Sequence, residues 1–387
     1  MMGRPQGDMV QVHMLTAYPA ALLNRDDAGL AKRVPFGGAV RTRISSQCLK
    51  KHWRESPGIA DLGDLAVRST RVYEREVARP LMEEHGATET EAVAIAQWLM
   101  NQSVDTKPAA KETGLEAAQS GQLLVLTRSE VEFLQTRAAA LLKELRAAGV
   151  EVAKPGDVPK HAELANDTEL RATLKALPAS LDTALFGRMV TSDLFARVDA
   201  AVSVAHAFTT HEEAAETDYF TAVDTLKSGA DDAGAGLIQD TELTTGVFYL
   251  YAVLDMNQLR HNLVGNDDGG LPDRLARNLV EAMATVSPGA KRGSTAPYSY
   301  AEFVLTERGP AQPRTLANAF LQPVSANGTN VMTASANVLM EHRARLDTMY
   351  GAAKVTASLA SIHAVKAEAP DRVSFPELLE RTFTTPV

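Results

Sequence analysis

Residues 8–16 alternate, with Val10, Val12 and Met14 on one side, which predicts a strand. Residues 17–38 hold no period and contain Pro19, Asn24, Pro35, Gly37 and Gly38, so a long ordered loop is expected. Alternation returns over 40–44: Val40, Thr42 and Ile44 point one way, Arg41 and Arg43 the other. A helix should start at Ser45 or Ser46, since either hydroxyl can cap the free amides. On it Gln47, Lys50, Lys51 and Arg54 form a polar face, and Leu49 and Trp53 an apolar one.

The middle of the chain changes period. Residues 61–185 read as mostly helical, with an Ala-rich stripe over 90–101 that includes Ile95, Trp98 and Leu99. A short strand fits 123–126, and Ser129 to Glu132 fits a capping box before a helix ending at Gly149. Val202, Val204, His206 and Phe208 then alternate, an acidic turn covers 211–216, and 219–223 completes an expected protruding β-hairpin. A Gly/Asp-rich linker covers 228–236; a strand over 244–255, a helix over 271–286, a loop over 287–297 and a strand over 298–306 follow. Strand, helix, strand, strand, helix, strand is the ferredoxin-like order. The expected fold is therefore α+β, with a ferredoxin-like (RRM-like) core over 1–56 and 186–387 and a helical insertion over 57–185. The consensus RNA-stacking strand motifs of RNA-recognition motifs are not visible.

Composition narrows the function. Of 387 residues, 45% are hydrophobic and 22% charged, enough for a sizeable core. No apolar run reaches the roughly 18 residues of a membrane span, and Met1 to Asp8 lack the order of a signal peptide. The single cysteine, Cys48, excludes an internal disulfide and a thiolate zinc cluster. A cytoplasmic protein without a membrane partner is expected.

The net charge of −9 argues against nucleic acid until its distribution is read. Arg25, Lys32, Arg33, Arg41, Arg43, Lys50, Lys51 and Arg54 face only Asp26 and Asp27 in their window, which is +6 and leaves the rest at −15. A basic patch on an acidic body can hold phosphates without coating itself in random nucleic acid. Arg43, Ser45, Gln47, Lys50 and Arg54 form a line along strand and helix, with Arg25 and Lys32 in the preceding loop able to close over it. An extended RNA backbone requires cations and amide donors in such a line, and a helix N-terminus adds both. Arg41 lies farther from the helix. Lys291 and Arg292, between Gly289 and Gly293, suit a phosphate contact, although Gly-Ala-Lys-Arg-Gly-Ser-Thr does not have P-loop order. Met189 and Phe208 are candidates for packing on bases, against the alternative of an ordinary core.

Asn24-Arg-Asp-Asp27, Phe36-Gly-Gly38 and the run Arg41 to Lys51 resemble the CasC (Cse4) family, the backbone subunits of type I-E CRISPR Cascade. Leu185 to Met189, Val204 to His211, Asp218 to Thr221 and Pro288 to Arg292 extend the resemblance in order over about residues 10–300. It implies a hand: a palm on the ferredoxin-like core, helical fingers over 57–185 and a β-hairpin thumb over about 198–226. It also implies that copies stack head to tail along CRISPR RNA, each thumb flipping a base, to display the guide for pairing with target DNA. The implied partners are CRISPR RNA, target DNA, other copies of the chain, and the large, small, end-capping and RNA-processing subunits. No cofactor, metal or catalytic residue is expected. The rival reading is a metal-dependent endoribonuclease using Asp26 and Asp27, because related type III backbone subunits carry a catalytic aspartate in that loop and paired carboxylates can hold Mg²⁺. A zinc or serine hydrolase lacks H-E-x-x-H and G-x-S-x-G.

Overall fold

The computed structural model describes residues 7–103, 113–158, 174–188, 195–222, 237–265, 269–289, 292–326, 328–366 and 369–384. The chain divides into two compact units, one of Met1–Ile59, Val202–Asn257 and Pro272–Val387, the other of Ala60–Ala201 and Gln258–Leu271. Its strands are β1 (Met9–Ala21), β2 (Arg33–Phe36), β3 (Ala39–Ile44), β4 (Val67–Ser69), β5 (Leu124–Leu126), β6 (Val202–Val204), β7 (Ala207–Thr209), β8 (Ala214–Ala222), β9 (Leu237–Asp255), β10 (Phe303–Gly309) and β11 (Thr356–Ser361). The helices that matter below are α1 (Ser46–Arg54), α2 (Pro57–Ala60), α3 (Arg79–His85), α4 (Glu89–Ser103) and α5 (Arg128–Ala147).

The first unit is built on an antiparallel sheet of order β11-β10-β1-β9-β7-β3-β2, with β6 and β8 also paired to β9. Val10, Val12 and Met14 are fully buried, as their alternation requires, and sit opposite Leu254, Ala252 and Leu250. The other face is buried too: Leu15, Tyr249, Phe303 and Leu305 pack with Met332, Ala336 and Leu339 of the helix Val331–Tyr350. With both faces covered, a slip of one residue would exchange two buried sets, so the register is tightly specified.

Three elements differ from expectation. The loop expected over 17–38 is partly sheet: β1 continues past a bulge at Tyr18/Ala21, and β2 and β3 form a hairpin. Gly37 and Gly38 turn it at φ of 62° and 79°, and a side chain on Gly37 would collide with the Leu321 carbonyl. The last expected strand begins at Phe303 rather than residue 298.

The expected hairpin has a different partner. Among the described residues, 202–208 do not pair with 219–222. Both segments pair with β9: Val202 lies opposite Leu254 and Phe208 opposite Tyr249, while β8 runs from Ala214 opposite Thr245 to Ala222 opposite Leu237. The reason is that β9 starts seven residues before the apolar alternation at Thr244 does, at Leu237. The expected linker at 228–236 lies outside the described residues.

The second unit is held by α3, α4, α5 and a π-helical turn over Tyr73–Ala78 around a core that includes Tyr73, Leu81, Ile95, Leu99, Leu134 and Leu141. The strand β5 pairs with β4. The cap of α5 is two residues earlier than read: Thr127 accepts from the Glu130 amide and Glu130 accepts from the Thr127 amide. Arg188 donates to the buried Glu130 carboxylate at 2.6 Å.

Glu74 is enclosed by Arg71, with two contacts of 2.7 Å, by Arg79 and by Gln119. The Arg71 hydrogen bonds, partly opposed by burial, bring its carboxyl down to about 2. Arg146 does the same for Glu91, also to about 2. A depressed carboxyl contributes stability above its unfolded value, near 4.5, and loses it as pH falls through the folded value. Glu74→Gln is therefore expected to lower the melting temperature at pH 7 by a few degrees. The gap to the wild type should close as melts are taken from pH 5 towards pH 2.5. A gap that stays constant across this range would show that the Glu74 charge is not what matters.

Candidate nucleic-acid interface

The candidate surface grows out of β3 and the helix it enters. Arg41 and Arg43 share a face of that strand but not an environment. Arg41 is fully buried and donates to the carbonyls of Phe36, Thr209 and Phe320 at 3.3, 3.1 and 2.9 Å. It fastens the strand to three segments and is withdrawn from any ligand. Arg43 stays partly exposed, with Nε on the Arg33 carbonyl at 3.1 Å and Nη1 on His206 Nδ1 at 2.9 Å. Guanidinium has no acceptor, so His206 accepts through Nδ1. Burial, then Arg43 and Lys32, push its pKa down, which keeps the ring neutral at pH 7.

The loop before β2 is docked onto the same place. Asn24 accepts from the Ser45 amide through Oδ1 at 2.9 Å and from the Lys32 amide through its carbonyl at 2.9 Å. The Lys32 carbonyl in turn accepts from the Arg43 amide at 2.8 Å. Arg25 is exposed where the loop closes against Ala31. Asp26 Oδ1 accepts from the amides of Ala28 and Leu30, both at 3.0 Å, as a turn-forming aspartate does. Arg33 faces away, pairing with Glu213 at 2.7 Å and with Glu242, which also accepts from the Ala31 amide. These contacts fix the base of the β8–β9 hairpin to the loop.

Ser45 is the cap of α1, accepting from the Cys48 amide at 3.3 Å. Leu49 and Trp53 are buried and Gln47 is exposed. Lys50 is half-buried, which lowers its pKa. Lys51 pairs with Glu55 at 2.8 Å, and Arg54 lies 4.0 Å from the same carboxylate. The helix also records the charges around it. Burial raises the Cys48 pKa against the pull of Lys32, Lys51 and Arg292. Burial lowers that of His52, with Arg292 and Lys51 adding to it. Lys32 and Arg292, from two other parts of the sequence, thus add their charge to that of Lys51 on the helix itself. Arg292 is exposed and donates to the Ser287 carbonyl at 3.1 Å.

The other expected residues fare differently. Met189 and Lys291 lie outside the described residues. Phe208 packs edge-on against Phe36, Tyr249 and Phe320, with centroids 5.1, 6.0 and 6.3 Å away. Of the two readings its sequence leaves open, these contacts are those of the core. Sequence reasoning missed Asn24, His206 and the split roles of Arg33 and Arg41. Asn24 alone carried a signal, as an Asn before Arg-Asp-Asp in a turn.

The surface combines cations, a helix N-terminus and polar donors, a chemistry suited to binding phosphates. Among the described residues, no group of three or more His, Cys, Asp or Glu side chains is placed to hold a metal ion. Nor, among them, is any helix long and apolar enough to cross a membrane.

No curated protein matches the chain. Solved structures do. A chain of a "CRISPR RNA-guided surveillance complex, pre-nicking" is 26% identical, with a TM-score of 0.79 over 97% of this chain and 99% of its own. A chain of a second "CRISPR RNA-guided surveillance complex" is 23% identical, with a TM-score of 0.67 over the same shares, and is a likeness of fold. The family model described as CT1975-like protein matches residues 10–382. With nearly its whole length matched, the chain belongs to the CT1975-like protein family.

Proposed function

We propose that the chain is a CRISPR RNA-binding backbone subunit of a type I-E Cascade surveillance complex. The observation that carries this reading is the basic surface of β3 and α1, where part-exposed Arg43 lies two residues before the capping Ser45 and Lys50, Lys51 and Arg54 follow on the helix. Cations beside a capped helix N-terminus and along the helix that follows suit a phosphate chain. The neighbours in RNA-guided surveillance complexes and the resemblance to CasC support the same reading.

The fold supports the hand-like description. Taken alone, β10, β1, β9 and β7 stand in the 4-1-3-2 order of a ferredoxin-like sheet, a palm in this reading. The hairpin of β8 and the first half of β9 is then the thumb, and the α3–α5 unit the fingers. Copies bind the guide phosphates side by side, and the guide supplies sequence specificity by pairing with target DNA. The other Cascade subunits are the remaining partners, and the subunit acts in the cytoplasm.

The proposed role is structural, not catalytic. Asp26 spends one carboxylate oxygen on two backbone amides, as a loop-forming residue would. Incubating labelled RNA with the full chain and Mg²⁺ is expected to leave it intact. Cleavage that disappears in Asp27→Asn would overturn this.

The phosphate line has its own test. Lys50→Ala with Arg54→Ala should weaken binding to a synthetic single-stranded RNA and lower its salt slope by about 1.4 units, at roughly 0.7 per phosphate contact. The charge-matched control is Lys143→Ala with Lys175→Ala, both exposed in the second unit, and should change neither. Equal weakening by the two pairs would reduce the site to bulk charge.

A further inference from the structure

The segment from Arg292 to Glu302 carries two aromatic side chains out of the protein. Tyr298 and Tyr300 are 71% and 70% exposed, among the largest apolar surfaces left open on the described residues. Neither ring stacks on another among those residues. Isolated exposed apolar residues need no explanation, but two on one short segment form a patch.

The backbone that displays them is fixed on the inside. Ser287 Oγ donates to the Ser299 carbonyl and accepts from its amide, both at 3.1 Å. The Ala301 amide donates to Ala284 and that of Glu302 to Leu15, at 2.8 and 3.0 Å. Pro297 is buried, and the Ala296 amide returns to the Arg292 carbonyl at 2.9 Å. Exposure thus runs out, part-in, out over Tyr298, Ser299 and Tyr300, while the part-in residue is the anchored one. The two exposed rings therefore flank the residue that anchors the segment.

We propose that Tyr298 and Tyr300 form an aromatic clamp for one base of a single-stranded nucleic acid whose phosphate is held by Arg292. This rests on the RNA-binding reading above and adds a base contact to it. Charge favours this occupant over a protein: Arg292 lies in the same loop, and its field reaches Cys48 and His52 together with that of Lys51. The fixed backbone lowers the ordering cost of capture, and stacking accepts any base because every base has a flat face.

The test uses the full chain and a synthetic single-stranded RNA carrying 2-aminopurine at successive positions. In the wild type, emission at one or more positions should be quenched on binding. Tyr298→Leu with Tyr300→Leu should restore that emission and weaken binding about tenfold, leaving the salt slope unchanged. Tyr298→Phe with Tyr300→Phe should keep both quenching and affinity. Wild-type quenching and affinity in the leucine variant overturn the clamp alone, provided that Lys50→Ala with Arg54→Ala still weakens binding. A leucine variant that binds RNA normally but loses self-association in light scattering also overturns it and makes the pair a protein contact. A wild-type chain that binds no RNA overturns the underlying reading as well.

Discussion

The backbone hydrogen bonds of β9 extend over nineteen residues, and β1, β6, β7 and β8 all draw on them. Along its second half β9 has a strand on each side and two buried faces; along its first half it pairs with β8. One continuous strand therefore links the interior of the sheet to the hairpin. A shift in its register against β1 would carry the hairpin along and move Phe208, opposite Tyr249, off its aromatic partners. Sheet pairing thus positions the hairpin, and Arg33 restrains its base through Glu213 and Glu242.

Cations close together in sequence are put to separate uses. Arg41 spends its donors on three carbonyls, and Arg33 spends its charge on two carboxylates. Burying a guanidinium without a carboxylate is costly unless its hydrogen bonds are made, so Arg41 holds β3 firmly against the segments it bonds. That firmness sets where Arg43 and the start of α1 lie, two and five residues on. The exposed basic surface is smaller than the basic count implies, and Arg292 adds its charge to it from far along the chain.

A buried polar cluster under the same sheet has a different purpose. Glu307 of β10 pairs with Arg343 at 2.8 Å, and Arg343 and Arg314 share Asp347. His13 lies beside Glu307 and meets the Tyr249 hydroxyl at 2.9 Å. Burial, with Arg343 and Arg314, takes the His13 pKa down to about 3, so the ring stays neutral. The cluster orients the helix Val331–Tyr350 on the sheet by specific bonds as well as by apolar packing.

Local pattern alone determined a good part of this protein. Period-2 alternation marked β1 and the second half of β9. The Ser45 cap with Leu49 and Trp53 marked α1, and the charge window marked the basic surface. These are short-range properties, set by backbone geometry and neighbouring residues. Tertiary structure decided what depends on distant partners. Residues 202–209 alternate like a hairpin arm, yet alternation does not name the strand that satisfies their amides. The first half of β9, which takes up β8, lacks the apolar alternation of its second half. Arg41 and Arg43 are identical in local pattern and differ because Phe36, Thr209 and Phe320 close over only one of them. Arg292 reaches α1 across more than two hundred residues of sequence, a proximity that only the folded sheet creates.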